Sequence, residues 1–65
     1  MKVVKTSKIL KDLKTDGWYL VNYEGSHRQF RHPTKPGKVT VNGKLSDDVT
    51  GNVLKNIEKQ SGLVF

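Results

Sequence analysis

The residues of this chain best equipped for proton chemistry are its two histidines, and the first of them stands in the segment Gly25-Ser26-His27-Arg28-Gln29-Phe30. An unperturbed imidazole titrates between roughly pH 5 and 8, so it exchanges protons near neutrality. A ribose-phosphate chain carries its own nucleophile in the 2′-hydroxyl. Its cleavage needs a group to take that proton, a donor for the leaving oxygen, and cations to stabilise the crowded phosphate. That scheme requires no metal and no other cofactor. Arg31 and Lys38 are placed to hold phosphate, and the backbone N–H groups around Gly25 and Ser26 offer an anion-binding concavity.

Position decides whether a histidine can act. On one extended run His27 and His32 lie five residues apart, hence roughly 16 Å and on opposite faces, so they are not expected to cooperate. His32, just before Pro33, reads as structural or surface. Alternation sends His27, Gln29 and Arg31 one way and Arg28, Phe30 and His32 the other. With Phe30 as the core residue, His27 faces outward, unless a bulge falls between His27 and Phe30. The competing reading of His27 is a turn-flanking histidine that bonds the hairpin backbone.

The chain has 65 residues and a net charge of +6, with a pI near 9.9. That length makes residues 1–65 one domain with an economical core. No cysteine is present, which excludes a cysteine nucleophile, a thiolate zinc site and disulfide reinforcement, and makes the cytoplasm the default setting. Neither a signal-peptide core nor a membrane-spanning run of about 18 apolar residues occurs. Residues 1–44 hold ten Lys/Arg against three Asp/Glu, and residues 45–65 hold two against three, so an anion-binding surface belongs in the first two-thirds. Nucleic acid is the expected partner class, and a membrane is not.

These residues must be positioned by a small set of elements. Thr6 or Ser7 can cap a helix over about residues 7–16 whose apolar positions are Ile9, Leu10 and Leu13, with Gly17 ending it. Residues 18–24 and 27–32 read as a β-hairpin around Gly25-Ser26, and residues 33–37 as a second turn because two prolines cannot donate to a ladder. Residues 38–42 alternate as a third strand. A second helix starts at an N-cap among Ser46, Asp47 and Asp48, or later because Gly51 and Asn52 weaken its first turns. Val49, Val53, Leu54 and Ile57 form its apolar face and Gly62 its end. The expectation is an α+β fold of order α-β-β-β-α, with two helices on one face of a three-stranded antiparallel sheet and the other face open. The aromatics Trp18, Tyr19 and Tyr23 read as packing rather than as base-stacking platforms.

The sequence also resembles the HicA toxin family of mRNA interferases, over nearly its whole length. The likeness is carried by Asp16-Gly17-Trp18, Val21, Gly25-Ser26-His27, Phe30, Arg31-His32-Pro33, Val39-Thr40-Val41 and Lys59-Gln60-Ser61-Gly62-Leu63. It implies a double-stranded-RNA-binding-domain-like fold, His27 as the catalytic residue, a HicB-type antitoxin that blocks the active site, and a cytoplasmic bacterial or prophage setting. The chain departs from the family pattern at Asn42-Gly43, where relatives often have Pro-His, at Asn52 for a glycine, at Glu58 for an aliphatic residue, and at Arg28 for a second histidine. The reading is a toxin that cleaves mRNA without a metal, through His27, with Gly25, Ser26, Gln29, Arg31 and Lys38 binding RNA. DNA on its own is not an expected partner. The alternative is a non-catalytic RNA-binding module of the same fold, which would bind in a salt-sensitive way and leave RNA intact.

Overall fold

A computed structural model describes residues 1–65. In chain order its elements are β1 (Val3–Lys5), α1 (Thr6–Asp16), β2 (Tyr19–Glu24), β3 (His27–Arg31), β4 (Val39–Val41), β5 (Asp48–Thr50) and α2 (Gly51–Ser61). Strands β2, β3 and β4 form an antiparallel sheet in that order, while β1 and β5 pair as a separate two-stranded sheet. The two helices and the three-stranded sheet are those anticipated from the sequence. The β1–β5 pair is not.

That pair also corrects the expected caps of both helices, and α2 takes the later of the two starts the sequence allowed. Residues 48–50 are a strand rather than the cap of α2, with Val49 buried opposite Val4 and the Asp48 carboxylate 2.6 Å from Lys5 Nζ. Neither helix has a side-chain N-cap. At α1 the orphan donors are met by the chain entering β5 instead: Thr6 and Ser7 give their backbone N–H groups to the carbonyls of Asp47 (3.0 Å) and Leu45 (3.1 Å). Because α2 begins only at Gly51, its buried face is Leu54, Ile57 and Ser61, and Val53 stands 61% exposed.

The end of α1 is fixed as the sequence implies. Gly17 adopts φ +105°, and the amides of Gly17 and Trp18 bond the carbonyls of Lys14 (3.1 Å) and Leu13 (3.0 Å), a Schellman closure. This delivers Trp18 into the core. The core comprises Val4, Ile9, Leu13, Trp18, Phe30, Val39, Val41, Val49, Leu54 and Ile57, with Leu10, Leu63 and Phe65 packed against it. Burying each of the larger aliphatic side chains contributes about 1.5–3 kcal/mol before the entropy of ordering it is counted. Phe30, Val39 and Val41 bring this core to one face of the three-stranded sheet.

The register of β3 positions the site. Phe30 is buried and the ladder with β4 runs Arg28↔Val41, Gln29↔Thr40, Phe30↔Val39 without interruption. The one irregularity lies in β2, where the pairing shifts between Leu20 and Asn22. Alternation along β3 is therefore intact, and His27, Gln29 and Arg31 share the face away from the core. Strand β2 forms one border of the sheet and is exposed along its whole length. Tyr19 and Tyr23 are accordingly half or more exposed, so only Trp18 of the three aromatics serves as core packing.

Candidate active site

Two adjoining turns build the site. Gly25 and Ser26 close the β2–β3 hairpin, with Gly25 at φ +60°, and both are exposed. His27 follows as the first residue of β3 and is exposed. Its cross-strand partner on β2 is Glu24. On the β4 side its ring Nδ1 lies 2.6 Å from Asn42 Oδ1. The hairpin tip is joined to the end of β4 at two further points: the Gly43 N–H donates to Ser26 O at 3.2 Å, and Arg28 Nη1 donates to Gly43 O at 2.8 Å.

Arg28 lies on the helix side of the sheet, with its guanidinium 5.3 Å from the Tyr23 ring centroid. Held by Gly43 and stacked on an aromatic face, it braces the hairpin and does not point beside His27. The open face beyond His27 carries Gln29, half-buried, then Arg31, exposed and without a carboxylate partner. Strand rise puts Gln29 about 7 Å and Arg31 about 13 Å along from His27. Arg31 is therefore set well apart from the imidazole along the strand rather than beside it. Lys38 lies outside β4 and borders a cleft at that strand's far side with Lys59 and Gln60 of α2. The sequence-predicted residues thus form a line along β3 with Lys38 apart from it. An apolar groove of about 460 Å³ between Leu10 and Lys14 of α1 and Leu20 and Phe30 of the hairpin lies on the helix side, and His27 does not line it.

His32 has the opposite environment. Its side chain is 9% exposed, and Trp18 meets it edge-on with ring centroids 5.2 Å apart. Nδ1 accepts the backbone N–H groups of Thr34 and Lys35, each at 3.1 Å, so the ring proton is on Nε2, which donates to Asp16 O at 2.6 Å. The ring bridges the end of α1 to the 33–37 turn. It leaves no room for a side chain at Gly17, where a Cβ would come within 2.9 Å of His32 Nε2.

The Asp16 carboxylate completes this bracket. It accepts Lys35 Nζ at 2.6 Å and Trp18 Nε1 at 3.1 Å. The hydrogen bond from Lys35 holds its pKa below the ordinary aspartate value, aided by Trp18 and opposed by partial desolvation. A carboxyl depressed on folding stays ionised to lower pH than in the unfolded chain, so its support for the fold is present at neutral pH and lost on acidification. Asp16→Asn is expected to lower the melting temperature at pH 7. Melting curves of wild type and variant should converge as pH falls through the carboxylate range, and a constant gap would remove the charge from this role.

The family model described as "HicA toxin of bacterial toxin-antitoxin" matches residues 6–63. The chain belongs to the HicA toxin family. It is the toxin component of a toxin–antitoxin system, and a cognate antitoxin is its implied partner. No match was found among curated proteins. No helix of this HicA protein is long and apolar enough to cross a membrane. The HicA match spans both histidine environments, the exposed one on β3 and the bracketed one after it. Asn42 is the neighbour of His27 that sequence reasoning passed over: it registers in the sequence only as a departure from Pro-His. Its contact with His27 depends on β3–β4 register, which a 15-residue separation conceals.

Proposed function

We propose that this HicA protein is a metal-independent endoribonuclease that cleaves single-stranded regions of mRNA, with His27 as its proton-transfer group. The observation that carries the reading is an exposed imidazole at the head of β3, on the side of that strand turned away from the core, in line with an exposed Arg31 that has no carboxylate partner. An open face of this kind suits a polymer laid across it rather than a small molecule enclosed by it.

The chemistry follows from the substrate. The 2′-oxygen bonds to phosphorus as the bond from phosphorus to the 5′-oxygen breaks. His27 takes the 2′ proton, and the leaving 5′-oxygen is protonated from solvent, because His32 is engaged on both ring nitrogens and lies on the core side. The products are a 2′,3′-cyclic phosphate and a 5′-hydroxyl. Turn amides at Gly25 and Ser26 receive phosphate oxygens, and Gln29, Arg31 and Lys38 hold the strand on either side. One proton-transfer group without a paired acid gives modest acceleration, sufficient for a toxin acting on an abundant substrate. In the same reading a HicB-type antitoxin silences the protein by covering the uncovered sheet face, and both act in the cytoplasm.

The test is cleavage of a defined RNA in EDTA, beside the same RNA carrying single 2′-deoxy substitutions. Cleavage should persist without divalent ions and stop at each substituted position, with 5′-hydroxyl termini on the products. Cleavage that ignores the 2′-deoxy substitution would exclude this mechanism. Binding that weakens steeply with salt while the RNA stays intact would favour the non-catalytic module.

A further inference from the structure

The contact between His27 and Asn42 has a chemical consequence for the ring. With the amide oxygen 2.6 Å from Nδ1, that nitrogen must carry the proton, since the oxygen can only accept. We infer that Asn42 is a positioning residue that fixes the neutral His27 ring as its Nδ1–H tautomer and so leaves Nε2, the outward nitrogen, unprotonated and free to accept. An unrestrained histidine prefers the other tautomer, with the proton on Nε2, in which the outward nitrogen cannot act as a base. The inference rests on His27 being the proton-transfer group, and it names what makes that group competent.

The backbone supports this assignment. Ser26 and Gly43 are directly opposite and joined by the Gly43 N–H. By the alternation of an antiparallel ladder, His27 and Asn42 are then a pair without mutual backbone bonds, the kind whose Cα atoms approach to about 4.5 Å and whose side chains are closest. Asn42 is also held from behind. Gly43, at φ +97°, gives its carbonyl to Arg28 and its N–H to Ser26, and the Lys44 N–H is taken by Asp47 Oδ2 at 2.9 Å. The left-handed conformation at residue 43 is one that glycine adopts without strain, and a Cβ there would also push the Asp47 carboxylate off the Lys44 N–H, since it would meet Asp47 Oδ2 at 2.8 Å. The amide is thus presented by a segment fixed on both sides, the arrangement by which an outer residue sets the tautomer and aim of a catalytic imidazole.

The protein contains its own reference for the measurement. His32 has Nδ1 as acceptor of two N–H groups, so it is the Nε2–H tautomer, the reverse of what is inferred for His27. Long-range ¹H–¹⁵N correlation spectra at a pH where both rings are neutral should show the two opposite patterns, the His27 set being the one lost in His27→Ala. In Asn42→Ala the His27 pattern should move toward Nε2–H while His32 stays unchanged, and in Asn42→Asp, which keeps an oxygen acceptor, the Nδ1–H pattern should persist. RNA cleavage by Asn42→Ala should fall on the order of ten- to a hundredfold, as when an imidazole loses the partner that sets its proton. A wild-type His27 that is predominantly Nε2–H, or one whose pattern ignores Asn42→Ala, would overturn the inference whatever the cleavage assay shows. If the tautomers behave as stated but His27→Ala still cleaves RNA, the function proposed above fails and the assignment of Asn42 to the ring stands.

Discussion

His27→Ala is expected to reduce RNA cleavage by about two to four orders of magnitude, the usual contribution of a positioned acid or base. The same substitution should leave the fold almost untouched. His27 is exposed and its one side-chain hydrogen bond goes to another exposed residue, Asn42, so its removal falls among surface changes that shift stability by no more than about 0.5 kcal/mol. Thermal melts and far-UV spectra of wild type and variant should therefore superimpose while cleavage is lost. Equal cleavage rates would take His27 out of the mechanism. A large fall in melting temperature would show that this ring supports the hairpin.

His32→Ala is expected to do the reverse. The ring joins the C-terminal end of α1 to the 33–37 turn through three backbone groups, and it packs against Trp18 in the core. Its loss leaves the Thr34 and Lys35 amides and the Asp16 carbonyl without partners and opens a void beside an aromatic ring. Such losses cost on the order of 2–3 kcal/mol. For a domain of this size that corresponds to a fall of roughly 10–20 °C in melting temperature. At temperatures where the variant is folded, its cleavage rate should match wild type, since His32 lies on the core side of the sheet. An unchanged melting temperature would contradict the bracket described here. The two substitutions together separate chemistry from architecture within a single five-residue interval.

Much of this was legible in the chain because it depends on local signals. Gly17 and Gly62 stop their helices through left-handed backbone, and both do so here. Phe30, as the one large apolar residue among polar neighbours, sets the phase of β3 and with it the outward aim of His27. Features that depend on residues far apart were not legible. Strands of three residues such as β1 and β5 offer a single alternation each, and Val4 and Val49 identify one another only once they are paired. Because Val49 is apolar at a helical interval from Val53, it drew Val53 onto a shared face. In fact Val49 is buried through a strand, α2 starts two residues after it, and Val53 turns outward. Glu58 likewise finds its partners only at the chain ends: its carboxylate accepts Lys2 Nζ at 2.7 Å and the Phe65 N–H at 3.0 Å, and these bonds hold its pKa low.

Strand β2 offers a row of backbone donors and acceptors with no strand on its outer side, flanked by Leu20, Val21 and Tyr23 and bearing neither proline nor lysine. Such a border invites another extended segment to add to it. What opposes association between identical copies is their shared excess of positive charge, +6 on each. That repulsion acts over about one Debye length and weakens as ionic strength rises. Colloidal behaviour of the isolated toxin is thus tied to the salt around it, with dilute buffer keeping copies apart and concentrated salt bringing their bare strands within reach of one another.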